Sequence, residues 1–417
     1  MRHAWVPTAG LLVAFLIAPA RAGDWPQVLG PNRNGIAAAD ERLAETWPAE
    51  GPPVEWRREV GAGYAGIAVA GGRAVLFSRV GDREVVEGID AATGKTLWSD
   101  GHPTTFAPQV GGGNGPLCTP VIHGGRVIVC GAQGVLACLD VATGKRLWQR
   151  DTHREFDAPE GYFGAGSTPL VVGDHVLVNV GGSRQEAGIV AFDLGTGATA
   201  WKATAEPASY SAPVAVDIAG VAHALFVTRY QCLLVEAATG TVKWKFPFGM
   251  RGPTVNAATP LVMAGDAADK RLLVTAAYGI GSVYASFDGK AAQTLWEGTD
   301  SLATQYCTPI VTQGILVAID GRDDMPPADL KAVEAATGRV LWTERGFDYG
   351  TLLSADGKLL AAKTDGELAL MRADAAGMKV LARARPLAGT IRALPALAAG
   401  RLYVRDDAVL ICLRVGR

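Results

Sequence analysis

The sequence predicts an all-β chain folded as an eight-bladed β-propeller of four-stranded antiparallel blades, closed by an N-terminal outer strand that joins the C-terminal strands. Three observations carry this expectation. A pattern of acid, two spacers, Thr-Gly, three spacers and Trp recurs in five intact copies, so the chain is built from repeats. Short β-prone runs split by Gly-rich turns fill the space between copies. Finally, the count of outer strands balances only if the first strand of the chain completes the last blade.

In chain order, Arg2 and His3 lead an apolar run over 10–18, and Ala20-Arg21-Ala22 supplies a small-x-small cleavage site. Residues 1–22 are therefore expected to be a signal peptide, cut after Ala22. The run is well short of the roughly 20 residues that span a bilayer, and no later stretch reaches that length. The expected location is periplasmic or secreted, with no transmembrane segment. Residues 23–53 form a lead-in dense in Pro, Gly and Asn from Asp24 to Gly35, expected to be extended and turn-rich and anchored by Trp25. Residues 54–417 make the propeller. Its second unit shows the rhythm: 117–122, a turn at His123-Gly124-Gly125, 126–130, a turn at Ala132-Gln133-Gly134, 135–140, the Thr143-Gly144 turn and 145–149. Four strands in about 35 Gly-rich residues leave no room for helices.

The repeated motif has a physical logic. Its copies place the acid, the Gly and the Trp at Asp90, Gly94 and Trp98; Asp140, Gly144 and Trp148; Asp193, Gly197 and Trp201; Glu236, Gly240 and Trp244; and Glu334, Gly338 and Trp342. The carboxylate can accept backbone N–H groups of a tight hairpin, and Gly supplies a positive φ. The Trp, on the outermost strand, can cover the groove between neighbouring sheets, its indole N–H free for a carbonyl. A degenerate copy runs from Asp288 to Trp296 with Ala291 and Ala292 replacing Thr-Gly, and a weaker one has Gly377 and Leu381 at the Gly and Trp positions. Trp56 marks an outer strand whose three companions lie at 391–397, 402–404 and 409–415.

Composition narrows the function classes. A formal net charge of −2 with no basic block gives no footprint for nucleic acid or an anionic membrane. Apolar residues at 49% suffice for a large core. The six cysteines include no CxxC and no adjacent pair, and read as buried small hydrophobes, with one disulfide in the region of Cys118, Cys130 and Cys138 left open. No histidines are paired at ligand spacing, and Asp320-Gly321-Arg322-Asp323-Asp324 lacks the alternation of a calcium loop, so no metal site is expected. A monomer is expected.

Any site should lie where the repeat breaks down. Loops from an outer strand to the next inner strand share one face with the turns between the two middle strands. The longest span 101–115, 151–166, 246–257 and 297–306, with an enlarged middle turn at 320–330. From these and neighbouring positions we take Tyr162, Arg251, Asn256, Tyr278, Gln305, Tyr306, Asp320, Arg322, Arg392 and Arg405 as the candidate pocket. Glu155, Asp157, Glu160, Asp348 and Tyr349 fall nearby. No catalytic residue can be named.

The stretch Asp140-Val141-Ala142-Thr143-Gly144-Lys145-Arg146-Leu147-Trp148 resembles the repeats of the pyrroloquinoline quinone (PQQ) propeller superfamily, whose Trp-docking repeats build eight blades. Asp24-Trp25-Pro26-Gln27 with Leu29-Gly30-Pro31-Asn32-Arg33-Asn34-Gly35 is similar to the opening of exported bacterial PQQ-binding-like β-propeller repeat proteins. The resemblance implies two function classes. One is a binding or scaffold module for a protein partner or a polar small ligand, as in the related outer-membrane assembly scaffold. The other is a dehydrogenase of alcohols or sugars using PQQ and Ca²⁺, but the vicinal Cys-Cys and the CxxCH haem motif associated with such enzymes are both missing. The expectation is therefore the binding module, without a cofactor.

Overall fold

Runs rich in Val, Ile, Leu and Ala, each stopped by a Gly or Asp turn, pair antiparallel with the next run in sequence. In the computed structural model, which describes residues 23–265 and 269–416, this local rule produces eight four-stranded sheets in a ring. The first seven blades span 68–103, 121–151, 170–203, 214–247, 261–298, 310–344 and 350–384. The eighth takes Ala396–Ala398, Arg401–Arg405 and Val409–Arg414 from the C-terminal end and Val54–Glu59 as its outer strand. The all-β ring of eight blades, closed by strands from opposite ends of the chain, is thus observed. The expected signal peptide, 1–22, lies outside the described residues.

Burial follows position in the blade. A middle strand such as Lys358–Lys363 is buried along its whole length, because blades cover both its faces. An outer strand such as Arg146–Asp151 buries little beyond its Trp. The six cysteines are all buried thiols with no disulfide among them. Among the described residues, helix is confined to one turn at Thr152–Glu155 and a 3-10 turn at Ser183–Gln185.

The motif stitches each blade to the next. Asp140 Oδ1 accepts the Ala142 and Thr143 N–H groups and the Thr143 hydroxyl at 2.7–3.1 Å, as Asp90 does in the preceding blade. Seven indole N–H groups donate to a carbonyl in the following blade, at Ala91, Val141, Leu194, Ala237, Asp288, Ala335 and Asp374, over 2.8–3.1 Å. The Gly has a second duty besides its positive φ. A Cβ on Gly144 would lie 2.5 Å from the Trp98 ring, so the preceding blade's indole needs that bare backbone. In each of the first seven blades the outer strand carries a β-bulge just before the Trp register.

The degenerate copies have a geometric cause. In the fifth and seventh blades the hairpin ladder is two residue pairs longer and turns in two residues, with Asp288 opposite Ala291 and Asp374 opposite Gly377. No four-residue turn exists there to need Thr-Gly. The register also corrects one assignment: Leu381 is the bulge residue, and Ala382 stands in the Trp register opposite Leu370. That interface has no use for an outer-strand Trp, because in the eighth blade the docking turn is replaced by the gap between the two ends of the ring. The lead-in fills the place. Trp47 is buried in the same apolar cluster as Ile411 and Leu413, with Leu381, Ala382 and Ala384 against it, and the Thr46 hydroxyl donates to the Leu381 carbonyl.

The first part of the lead-in, expected to be extended, is instead coiled into the axial channel. Trp25 bridges Val69 of the first blade, the Pro26 carbonyl accepts the Ile122 N–H of the second, and Ile36 bridges Ser354 of the seventh. Between them Arg33, 2% exposed, donates to the carbonyls of Thr168, Pro169 and Pro213 at the third and fourth blades. Burial lowers its pKa to about 9. Positive φ at Leu29, Gly30, Arg33 and Gly35 makes the turns tight enough to fit. Eight blades leave a channel too wide for their inner side chains to close, and this plug closes it.

Candidate functional site

Plug and loops together define a cavity. On the face bearing the outer-to-inner loops, a funnel of about 590 Å³ opens on the axis, floored by the buried Val28 and Leu29 of the plug. Its volume is that of a small-ligand site. Around its neck runs a belt of threonines at the mouths of the inner strands. Thr119 Oγ1 accepts the Gly66 N–H, Thr168 Oγ1 the Thr119 N–H and Thr308 Oγ1 the Thr259 N–H, at 3.0–3.2 Å. Each of these hydroxyls thus ties two blades together, and Thr119, Thr168, Thr259 and Thr308 all line the funnel.

One wall carries the polar groups. Arg392 Nε donates to Asp323 Oδ2 at 2.8 Å and its Nη1 to the Tyr64 hydroxyl at 3.1 Å, with the guanidinium 5.4 Å from the Tyr64 ring centre. A matching unit stands beside it: Arg322 Nε donates to Asp324 Oδ1 at 2.9 Å, and its guanidinium lies 4.3 Å over the Tyr278 ring. Gln305 joins the two, donating to the Tyr278 hydroxyl and accepting the Asp323 N–H, both at 2.8 Å. Burial pulls the Arg392 pKa down, but Asp323 and Tyr64 outweigh it and hold the guanidinium above its ordinary value. Arg322 in turn holds the Asp324 carboxyl below the usual range. Each pair joins one guanidinium to one carboxylate and sums to no net charge.

Tyr306 sits among them with a different status. Its N–H and that of Cys307 donate to the Tyr349 hydroxyl at 2.7 and 3.0 Å, and its ring meets Tyr349 edge-on at 4.7 Å. That fixes the ring, yet its own hydroxyl is buried with no protein partner. Burial, with Asp323 nearby, raises its pKa well above 10, so it stays a neutral donor. Much of the remaining lining is apolar and aromatic, with Leu117, Phe163, Tyr210, Ala212, Val255 and Leu394.

A second cavity of about 280 Å³ adjoins the funnel, sharing Gly166, Tyr210 and Val255 with it. Tyr162, Tyr230 and Asn256 stand on its walls. The Asn256 amide donates to the Thr228 and Arg229 carbonyls at 2.9 and 3.2 Å, while its Oδ1 is buried without a protein partner. His153 Nδ1 on the same wall is in the same position, and burial lowers its pKa below 6.5, so the ring is neutral at neutral pH.

Of the ten candidate pocket residues, Tyr278, Gln305, Tyr306 and Arg392 line the funnel, with Arg322 beside it over Tyr278. Tyr162 and Asn256 line the second cavity, and Arg251 lies behind it, 5.7 Å from the Tyr230 ring centre. Asp320 is engaged by Lys331 at 2.8 Å and by the Ala303 N–H, and Arg405 is buried in the eighth blade, donating to the Gly61 and Asp406 carbonyls. Neither belongs to a cavity wall. The segment 320–330 is a lengthened hairpin that turns at Asp323-Asp324, with Arg322 opposite Met325, and not an open loop. Outside the candidate list, the funnel also takes Tyr64, Asp323, Phe163, Tyr210 and the threonine belt. The belt did have a signal: Thr-Pro follows Cys118, Ser167, Ala258 and Cys307, and the tied pairs are 49 positions apart.

Among the described residues no helix is long and apolar enough to cross a membrane, and no three His, Cys, Asp or Glu side chains converge on a metal site. The family profile described as outer membrane protein assembly factor BamB matches residues 81–209 and 185–415. No curated protein sequence matches. Among solved structures, BamB from Moraxella catarrhalis is similar at 18% identity and a TM-score of 0.62, over 87% of this chain and 99% of that one. The quinohemoprotein alcohol dehydrogenase from Comamonas testosteroni is similar at 15% identity and 0.65, over 96% and 82%. A europium-containing methanol dehydrogenase gives 12% and 0.66, over 92% and 89%. At these identities the likeness is one of fold.

Proposed function

For a chain that belongs to the PQQ-like repeat family described as outer membrane protein assembly factor BamB, we propose the role of a binding module whose ligand is a polar small molecule held in the axial funnel. The observation that carries this reading is the funnel itself: a plugged, preformed cavity with paired Arg and Asp groups on one wall and the unpartnered Tyr306 hydroxyl beside them. Pockets with a few convergent polar groups on an apolar lining are the usual form of such sites. Export through residues 1–22 belongs to the same proposal. In a thermal-shift screen of sugars, peptides and divalent ions, at least one class should raise the melting temperature, and Tyr306→Phe should reduce that shift. No shift with any compound would sink the small-ligand reading.

The quinoprotein alternative fits the donor set poorly. PQQ is a tricarboxylate that such enzymes hold beside a divalent cation. In this funnel both carboxylates of the polar wall are paired with arginines, and the one lining guanidinium is committed to Asp323 and Tyr64. Dye-linked alcohol oxidation after addition of PQQ and Ca²⁺ would reverse that judgement.

A protein partner is the second reading, favoured by a specific observation. Val80, Val110, Tyr162, Met250 and Met325 stand 38–62% exposed on the loops and middle-strand hairpin ends of the funnel face. Exposed apolar side chains gathered on one face suit a docking surface. A partner bound there would be displaced by charges at Met250 and Met325 and not by Tyr306→Phe.

A further inference from the structure

The two cavities are one site in two compartments, and the aromatic residues around them show what it is shaped to take. Six of the nine tyrosines of the chain, Tyr64, Tyr162, Tyr210, Tyr230, Tyr278 and Tyr306, stand on their walls. Among the described residues, none of the nine tryptophans does. A flat apolar face with a hydroxyl at its edge is the surface that stacks against a ring bearing C–H on its faces and O–H on its rim. Tyr210 forms part of both walls, its hydroxyl fixed by the Phe163 N–H at 3.0 Å, so a ligand crossing from the axis to the side passes along this ring.

Charge and hydrogen bonding select further. With Asp323 tied to Arg392 and Asp324 to Arg322, the funnel offers many donors and acceptors but no net charge. In the funnel an anion or a cation would have to break a pair to find its own partner, whereas a neutral polyhydroxylated molecule can bond to both members of one. The threonine belt adds hydroxyls of the same kind. Buried polar atoms without partners are rare and costly in folded proteins, and three of them border these cavities: Tyr306 Oη in the funnel, Asn256 Oδ1 and His153 Nδ1 in the side compartment. Asn256 is 1% exposed, so its acceptor has no access to solvent except through the cavity it lines.

We infer that the site binds a neutral oligosaccharide, with one end in the axial funnel beside Tyr306 and Arg392 and the following rings crossing Tyr210 into the compartment of Tyr162, Tyr230 and Asn256. This rests on the funnel reading above and adds the ligand class and its direction. Calorimetric titration with cello-oligosaccharides and malto-oligosaccharides of one to four rings tests it on the full chain. In one of the two series, affinity is expected to rise about tenfold or more between two and four rings, as the second compartment fills. Tyr162→Ala, a change at a half-exposed side chain, should abolish that gain and leave the affinity for short sugars unchanged. Tyr306→Phe should weaken every length alike. Length-independent affinity, or a gain that survives Tyr162→Ala, overturns the extension and leaves the funnel reading standing. Binding of tetraglycine or a charged small molecule in place of every sugar, weakened by Tyr306→Phe, overturns the saccharide class alone. If sugars bind and Tyr306→Phe changes nothing at any length, the funnel reading and this inference fall together.

Discussion

Tryptophan and tyrosine divide this molecule between them. Seven tryptophans ring the blades, each with its indole donating to the next blade, and Trp47 fills the place of an eighth at the junction where the chain closes. Six tyrosines gather instead on the axial face, around two cavities. The two residues are similar in size and chemistry, so the difference lies in their jobs. Docking a blade is the same task repeated around the ring, and selection for it leaves a periodic mark. Lining a cavity is done once, by residues from different blades that share no spacing.

The comparison can be broken at several levels. The largest effect should come from removing 411–417, which takes most of the strand that pairs with Val54–Glu59 and exposes sheet edges on both sides of the gap. Cooperative melting should vanish, and a wild-type transition in that truncation would refute closure. Next, Trp148→Ala empties a buried indole site and should cost about 3–5 kcal/mol in denaturant unfolding, while ligand affinity at lower temperature stays unchanged. A loss of affinity without a loss of stability would mean that frame and site are not separable.

The axial face should behave in the opposite way. Tyr306→Phe deletes a buried hydroxyl without a protein partner, so stability should hold or rise by about 1 kcal/mol while affinity falls roughly tenfold. A drop in melting temperature would show that the hydroxyl serves the frame. The smallest effect concerns acid. Hydrogen bonds from Thr93, Thr143 and Thr196 hold the carboxyls of Asp90, Asp140 and Asp193 below 3.8. Their contribution is complete at neutral pH and is lost as pH falls below 3.8 through the depressed values. Changing all three to Asn should flatten the decline of melting temperature in that range. An unchanged slope would place the acid-labile contacts elsewhere.

Legibility in the sequence follows the same division. The five intact motifs, taken with two degenerate copies and Trp56, were enough to fix blade number, strand order and the N-terminal origin of the last outer strand. The turns that lack Thr-Gly were visible as exceptions, but their cause, a hairpin ladder two pairs longer, depends on register across strands. For the site, loop position pointed to Tyr278, Gln305, Tyr306 and Arg392, since those loops must share a face. It could not separate them from Asp320 and Arg405, which lie in similar segments but turn toward Lys331 and into the eighth blade. The plug was the largest omission. Leu29-Gly30-Pro31-Asn32-Arg33 has the composition of a surface turn, and only the diameter of the finished ring gives its apolar and charged groups a channel to occupy.

The closure of the ring also orders events in time. Glu55 bonds to Arg414, 359 positions away, and the plug finds its partners on blades distributed round the circle. Closing so long a loop is entropically slow, and it gains nothing until the intervening blades stand in place. A ribosome delivers this chain from its N-terminus, yet the early strand Val54–Glu59 has no sheet to join until Val409–Arg414 has emerged. That strand is seated last, so the ring stays open through most of its own assembly, with the groove for Val54–Glu59 unfilled and its apolar edges exposed to other chains.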